Sequence, residues 1–241
     1  MTVTAQSVPI LKDNYAWLLK DSETGATAIV DPADAEPIIA AIEKAGGRLD
    51  MILLTHHHND HIGGVEEVRA RFNCPVVGAA ADAHRLPKLD QAVKEGDTVK
   101  LGNASAQVID TPGHTIGQIN FFFPDGPILL SGDTLFSLGC GRLIEGTAGQ
   151  MFASLRKLAA LPGDTLVCCG HEYTESNAKF ALSIDPDNAA LKAMVGEVGK
   201  LRAAGKPSVP SLMADEMKAN PFLTAPDVAS FADARAKKDK F

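Results

Sequence analysis

The chain has 241 residues, 45% of them hydrophobic, with a formal net charge of −7. That length and apolar content suit one large globular domain or a domain with a smaller appendage, and they exclude fibrous and disordered classes. The acidic balance argues against broad nucleic-acid binding, so any anionic ligand must be met by a local group of cations.

Short apolar runs punctuated by Gly, Pro and Asp predict strands at Ala28-Ile29-Val30, Met51 to Leu54, Pro75-Val76-Val77, Gln107-Val108-Ile109, Ile119 to Phe123, Ile128-Leu129-Leu130 and Leu166-Val167-Cys168. Helical stretches are predicted between some of them, at Ala35 to Ala45, Gly64 to Phe72, and Met151 to Leu161 ending at Pro162-Gly163. The alternation is that of a mixed α/β domain. From about Glu172 the chain becomes rich in Ala, Lys and Glu, which predicts helices over Ser176 to Ser183, Ala189 to Ala204 and Val228 to Lys240. Pro-containing links at Asp185-Pro186, Pro207 to Pro210 and Asn220-Pro221 separate them. A domain boundary is expected near residue 170.

Neither a signal peptide nor a membrane span is indicated by the N-terminal residues or by any long apolar window, so a cytoplasmic protein that uses no membrane is expected. The cysteines, Cys74, Cys140, Cys168 and Cys169, form no CxxC pair, and two are adjacent. They read as reduced thiols rather than a disulfide framework, with Cys168 and Cys169 at the buried end of a strand.

The chemistry concentrates in Thr55-His56-His57-His58-Asn59-Asp60-His61, directly after an apolar run. So many imidazoles beside a carboxylate suit neither a packed core nor a plain surface, because each needs a partner once buried. In an extended segment His56 and His58 point to one side, while Asp60 and His61 fall where a helix would begin. That spacing divides four candidate ligands between two neighbouring metals, and His57, on the opposite side, is expected to pack or hydrogen-bond. Three more metal-type residues each follow a strand-like run: His114 in Thr111-Pro112-Gly113-His114, Asp133 in Ser131-Gly132-Asp133, and His171 in Gly170-His171-Glu172. If those strand ends gather at one edge, seven donors converge, a number that suits two divalent ions with open positions for water. Asp31, before Pro32, reads as a turn or helix-start residue, with a supporting role behind the ligands as the alternative. His84 is assigned to the surface.

The HxHxDH spacing, followed by an isolated His, an isolated Asp and a last His, resembles the metallo-β-lactamase superfamily. Within it the chain is similar to the glyoxalase II (hydroxyacylglutathione hydrolase) family from end to end. The motifs that carry this are Asp13-Asn14-Tyr15, Val30-Asp31-Pro32, Thr55 to His61, Thr111 to Thr115, Gly132 to Phe136, Gly139-Cys140-Gly141-Arg142, Cys169 to Thr174, Asn220 to Leu223 and Arg235 to Phe241. The resemblance implies a four-layer αββα sandwich over residues 1–172 and a small helical, glutathione-binding domain over 173–241. It assigns His56, His58 and His114 to one metal and Asp60, His61 and His171 to the other, with Asp133 bridging. The metals are expected to be zinc, with iron or manganese accepted by the same mixed N/O donors.

The implied substrate is the thioester S-D-lactoylglutathione, hydrolysed to glutathione and D-lactate as the second step of methylglyoxal detoxification. A metal-bridging hydroxide would attack the carbonyl carbon, a metal would stabilise the oxyanion, and Asp60 would orient the hydroxide or take its proton. The family's glutathione contacts map onto Arg142, Tyr173, Arg235 and Lys238, the last two sharing a face of the final helix. Three positions depart from the usual pattern: Ile144 where relatives carry Tyr, Arg142 for a frequent Lys, and Thr224 where Arg is common. The protein is expected to act as a monomer on this small molecule, without nucleic acid. Alternatives on the same fold are a glutathione persulfide dioxygenase, which would not need His171 or the helical tail, and a phosphodiesterase or nuclease, for whose extra domain the chain leaves little room. A secreted β-lactamase is opposed by the lack of a signal peptide.

Overall fold

The computed structural model describes residues 3–241. Contacts divide the chain into two compact units, one running to Asp110 and adding Gly117–Gly132, the other comprising Thr111–Ile116 and Asp133–Phe241.

The first unit opens with β1 (Val3–Ile10), paired antiparallel to β2 (Asn14–Asp21), which pairs antiparallel to β3 (Thr27–Val30). Helix α1 (Ala35–Lys44) then returns the chain to β4 (Met51–Leu53), parallel to β3. The short α2 (Asn59–Ile62) and α3 (Val65–Phe72) lead to β5 (Val76–Ala79), and β6 (Gln91–Val93) completes the sheet in parallel register. The apolar spacing explains the packing: Ile38 and Ile42, one turn apart on α1, and Val65 and Val68 on α3 are buried against Ile29, Ile52, Leu54 and Val76 of the sheet.

Strands β7 (Thr98–Leu101), β8 (Ala104–Asp110), β9 (Ile119–Phe123) and β10 (Ile128–Gly132) follow as an antiparallel meander. Phe121, Phe122 and Phe123 on β9 and Ile128 to Leu130 on β10 are all buried, so these strands are covered on both faces. Because β8 and β10 both run opposite to β9, their C-terminal ends lie at the same edge.

In the second unit the hairpin β11 (Leu135–Phe136) and β12 (Gly139–Cys140) precedes α4 (Ala148–Ala159). This helix starts three residues before the apolar run at Met151, because Thr147 and Gln150 form a reciprocal capping box. After β13 (Leu166–Cys169) come α5 (Thr174–Ile184) and α6 (Ala189–Ala203), then β14 (Ser211–Leu212), which pairs antiparallel to β13. Helices α7 (Met213–Ala219), α8 (Pro221–Thr224) and α9 (Val228–Lys238) end the chain. Asn220-Pro221, expected as a link, instead starts α8: the Asn220 side chain accepts the Phe222 N–H and Pro221 takes the first helical position, where no amide is needed.

The predicted strands are all present; β1, β2, β6, β7, β11, β12 and β14 lie beyond the runs read from sequence. Ile38 is fully buried on α1. Replacing Ile38 by Ala should lower unfolding free energy by about 2–5 kcal/mol, measured by denaturant titration, and a loss under 1 kcal/mol would place it outside the core.

Candidate metal centre

The parallel pairing of β3 with β4 brings the residues just past each strand together. Asp31 donates its amide to Leu53 O at 3.0 Å, and its carboxylate accepts the Thr55 N–H at 2.9 Å. The other carboxylate oxygen accepts the Thr55 hydroxyl at 2.7 Å and faces His61 Nδ1 at 2.9 Å. Asp31 has φ 52°, a left-handed conformation that Asp tolerates better than most residues. Thus Asp31 stands behind the histidines, as the supporting alternative expected. Its atoms also lie within 4.8 Å of donor atoms of His56 and His61, but its hydrogen bonds commit it to orienting them.

These bonds decide the imidazole tautomers. The Thr55 hydroxyl proton goes to Asp31, so its oxygen accepts from His56 Nδ1 at 3.0 Å, leaving His56 Nε2 as a lone pair. His61 Nδ1 donates to Asp31, which leaves its Nε2 likewise. His56 Nε2 lies 3.1 Å from His58 Nδ1. Two nitrogens on one tetrahedral cation with bonds of ~2.0–2.1 Å are separated by roughly 3.4 Å, so the pair fits a shared ion. The next pair, His61 Nε2 and Asp60 Oδ2, is 3.8 Å apart. Asp60 sits in the first turn of α2, half exposed, and Asn14 Nδ2 donates to its carboxylate at 3.1 Å and its carbonyl at 3.0 Å. His57 turns away and bonds Asp82 Oδ2 at 3.1 Å, while Arg85 holds the other Asp82 oxygen. That is the packing and bonding role expected of it.

The second unit carries the remaining three residues. His114 Nδ1 donates to the Arg142 carbonyl at 2.9 Å, so its Nε2 is also a lone pair; it lies 3.5 Å from Asp133 Oδ2. His171 Nε2 lies 3.4 Å from the same oxygen. Both exceed ordinary hydrogen-bond lengths, and one carboxylate oxygen between two imidazole nitrogens at such distances is an arrangement that cations complete. His/Asp clusters suited to a pair of metal ions are therefore present, and the donor chemistry fits the group. The cysteines do not compete. All four are buried thiols outside any disulfide, and burial pushes Cys169 up to about 12, Cys74 and Cys140 up to about 11 and Cys168 well above its ordinary value, so none is a thiolate at neutral pH.

Comparison with known proteins agrees with this chemistry. The model of the metallo-beta-lactamase superfamily matches residues 11–171, and that of the hydroxyacylglutathione hydrolase C-terminus matches residues 172–241. A hydroxyacylglutathione hydrolase of Acidiphilium cryptum is 56% identical over 238 residues, covering 99% of this chain and 97% of its own. One of Ruegeria pomeroyi is 51% identical with both chains fully covered. The chain belongs to the hydroxyacylglutathione hydrolase family of the metallo-β-lactamase superfamily. Among solved structures, the BLEG-1 B3 metallo-beta-lactamase superposes with a TM-score of 0.71 at 25% identity, over 92% of this chain and 100% of its own, which fits the α/β fold expected.

The cationic residues named from the resemblance to hydroxyacylglutathione hydrolases differ in what they can offer a ligand. Arg235 is only 4% exposed; its guanidinium donates to the Cys140 carbonyl at 2.8 Å, pairs with Asp239 at 2.8 Å and lies over the Phe222 ring. Lys238 donates to Ser176 O and Oγ at 3.1 and 3.0 Å, and burial, with Arg235 and Arg142 adding repulsion, lowers its ammonium pKa. Arg142 has a side chain 72% exposed. Tyr173 stacks on the His171 ring at 4.5 Å with its edge open.

Asn14 and Asp31 are functional candidates to which the sequence assigned no firm role; the signal available was a polar residue at the end of a buried strand. Asp31→Asn keeps the volume but not the charge that accepts three donors. Zinc affinity of the metal-free protein should fall about 10–100-fold in a chelator competition, and parental affinity would remove Asp31 from the centre.

Proposed function

We propose that this chain hydrolyses S-D-lactoylglutathione, a 2-hydroxyacylglutathione thioester, to glutathione and D-lactate, the second step of methylglyoxal detoxification. Residues 1–172 act as the catalytic part and 173–241 as the helical glutathione-binding part. The observation that carries the reading is the second unit's combination of Asp133, between the Nε2 atoms of His114 and His171, with the cations Arg142 and Lys238. Full-length relatives named hydroxyacylglutathione hydrolase support the same substrate class.

His56, His58 and His114 would hold one divalent ion, Asp60, His61 and His171 a second, and Asp133 both; zinc is the first choice and iron or manganese suit the same donors. Bound there, such ions lower the pKa of a water toward neutrality and polarise a carbonyl. The protein's own groups do the rest. Asp60, fixed by Asn14 and open to solvent, takes the proton of the attacking water. No side-chain nucleophile is needed, and the buried cysteines stay protonated. The departing thiolate leaves without full protonation, so no strong general acid is required.

On a chain of net charge −7, the carboxylates of glutathione are met by Arg142 and Lys238, with Tyr173 as a polar edge beside His171 and Arg235 holding the Cys140 carbonyl behind them. Ile144 stands exposed where a Tyr hydroxyl would reach the ligand, so affinity for the glutathione part is expected to differ from that of Tyr-bearing relatives. We place the activity in the cytoplasm, in a monomer; no helix among the described residues is long and apolar enough to cross a membrane.

The test is thioester hydrolysis of S-D-lactoylglutathione followed together with metal content. Turnover in protein holding two divalent ions per chain is expected, and none in such protein would overturn the reading. Asp60→Asn should lower kcat by about 10²–10⁴-fold, and near-normal turnover in the fully metallated variant would remove Asp60 from proton transfer.

A further inference from the structure

The hairpin β11–β12 connects two residues of the proposed site: Asp133 lies two positions before it and Arg142 two positions after it. Beyond the pairing of its own two strands, its backbone is held by side chains of the C-terminal segments. Asn220 Nδ2 donates to Phe136 O at 3.2 Å and Gly139 O at 3.0 Å, Asn177 Nδ2 to Ser137 O at 3.0 Å, and Arg235 to Cys140 O at 2.8 Å. The turn residue Leu138 has φ 55°, a conformation that a leucine rarely adopts, and its side chain is buried against Ala178, Ala181, Leu191 and Ala219.

The amide of that strained residue has one partner, Glu216 Oε2, at 2.8 Å, and the same oxygen accepts Asn220 Nδ2 at 3.0 Å. Glu216 is fully buried on α7. Among the described residues no cation is paired with it, which is costly for a carboxyl in a core unless its position matters. The hairpin has no room to shift: a Cβ on Gly139 would collide with Asn177, and one on Gly141 with the carbonyl of Asp133.

We propose that Glu216 is a positioning residue for the reaction, acting through the Leu138 amide and Asn220 to fix the β11–β12 hairpin and thereby the separation of Asp133 from Arg142. The α7–α8 corner thus sets metal bridging and glutathione binding together, an inference that rests on the function proposed above. The device needs an acceptor, not a charge. Burial pushes the Glu216 carboxyl up, against the hydrogen bonds from Leu138 and Asn220 and the pull of the nearby Ser211 and Ser137 hydroxyls. A neutral amide can therefore stand in for it: a Gln oxygen would accept the same two N–H groups, with its NH2 toward the serine hydroxyls.

The experiment compares Glu216→Leu, Glu216→Gln and the parent for KM, kcat, zinc titration of the metal-free protein and melting temperature. Glu216→Leu should raise KM and weaken zinc binding each about 10-fold at temperatures well below its melting point, while Glu216→Gln restores both to within about threefold. A lowered melting temperature with KM and zinc affinity at parental values would overturn the proposal, as would a Gln variant as defective as the Leu variant. Should Glu216→Leu not fold, Asn177→Ala loosens the same hairpin through Ser137 and should move KM and zinc affinity in the same direction; parental values there would equally overturn it. An inactive parent would count against the proposed function alone, since zinc titration still decides the role of Glu216.

Discussion

The candidate metal centre depends on one buried carboxylate. Asp31 takes two hydrogen bonds from Thr55 and one from His61, and through the Thr55 hydroxyl it reaches His56. An uncompensated charge at that depth would be expensive, yet each of these donors would be equally costly to bury alone. The network is satisfied only when β3 and β4 pair in parallel, because that register carries Asp31 and Thr55 to the same edge. Strand pairing, backbone strain at Asp31 and the tautomers of two histidines are therefore one constraint. Its product is a pair of Nε2 lone pairs on buried imidazoles beside the half-exposed Asp60.

The second unit solves a related problem with different means. Here the backbone supplies the orienting acceptor, the Arg142 carbonyl for His114, and the hairpin that delivers that carbonyl is pinned by side chains of the helices. Arg235 illustrates the economy of this arrangement. A guanidinium buried beside a backbone carbonyl, an aspartate and an aromatic ring satisfies most of its donors internally. It stiffens the cationic group while Arg142 remains exposed to meet an anion.

Much of this was legible in the amino-acid order. The runs at Ala28 to Val30, Met51 to Leu54 and Ile119 to Phe123 are apolar and β-branched or aromatic, so they announced themselves as strands, and the HxHxDH spacing announced a metal site. Strands β1 and β2 did not stand out. The first mixes Thr, Gln, Ser and Pro9 along a partly exposed edge, and the second carries Asn14 and Lys20 into an otherwise buried strand. Roles that depend on long-range pairing were also hidden. Asn14 reaches Asp60 across 46 positions and Arg235 reaches Cys140 across 95, and no local periodicity encodes either contact. Glu216 lies on a helix that the sequence reading did not find, and nothing in its neighbours signals full burial.

The central claim is that histidine nitrogens and carboxylate oxygens, oriented from behind by Asp31, Thr55 and backbone, hold two adjacent cations. X-ray absorption spectroscopy of the zinc-loaded protein tests it most directly. The expected spectrum has a first shell of nitrogen and oxygen at about 2.0–2.2 Å with imidazole scattering and no sulfur, together with a metal–metal distance of about 3.5–4 Å. A sulfur shell, or two bound zinc ions without that metal–metal distance, would contradict it.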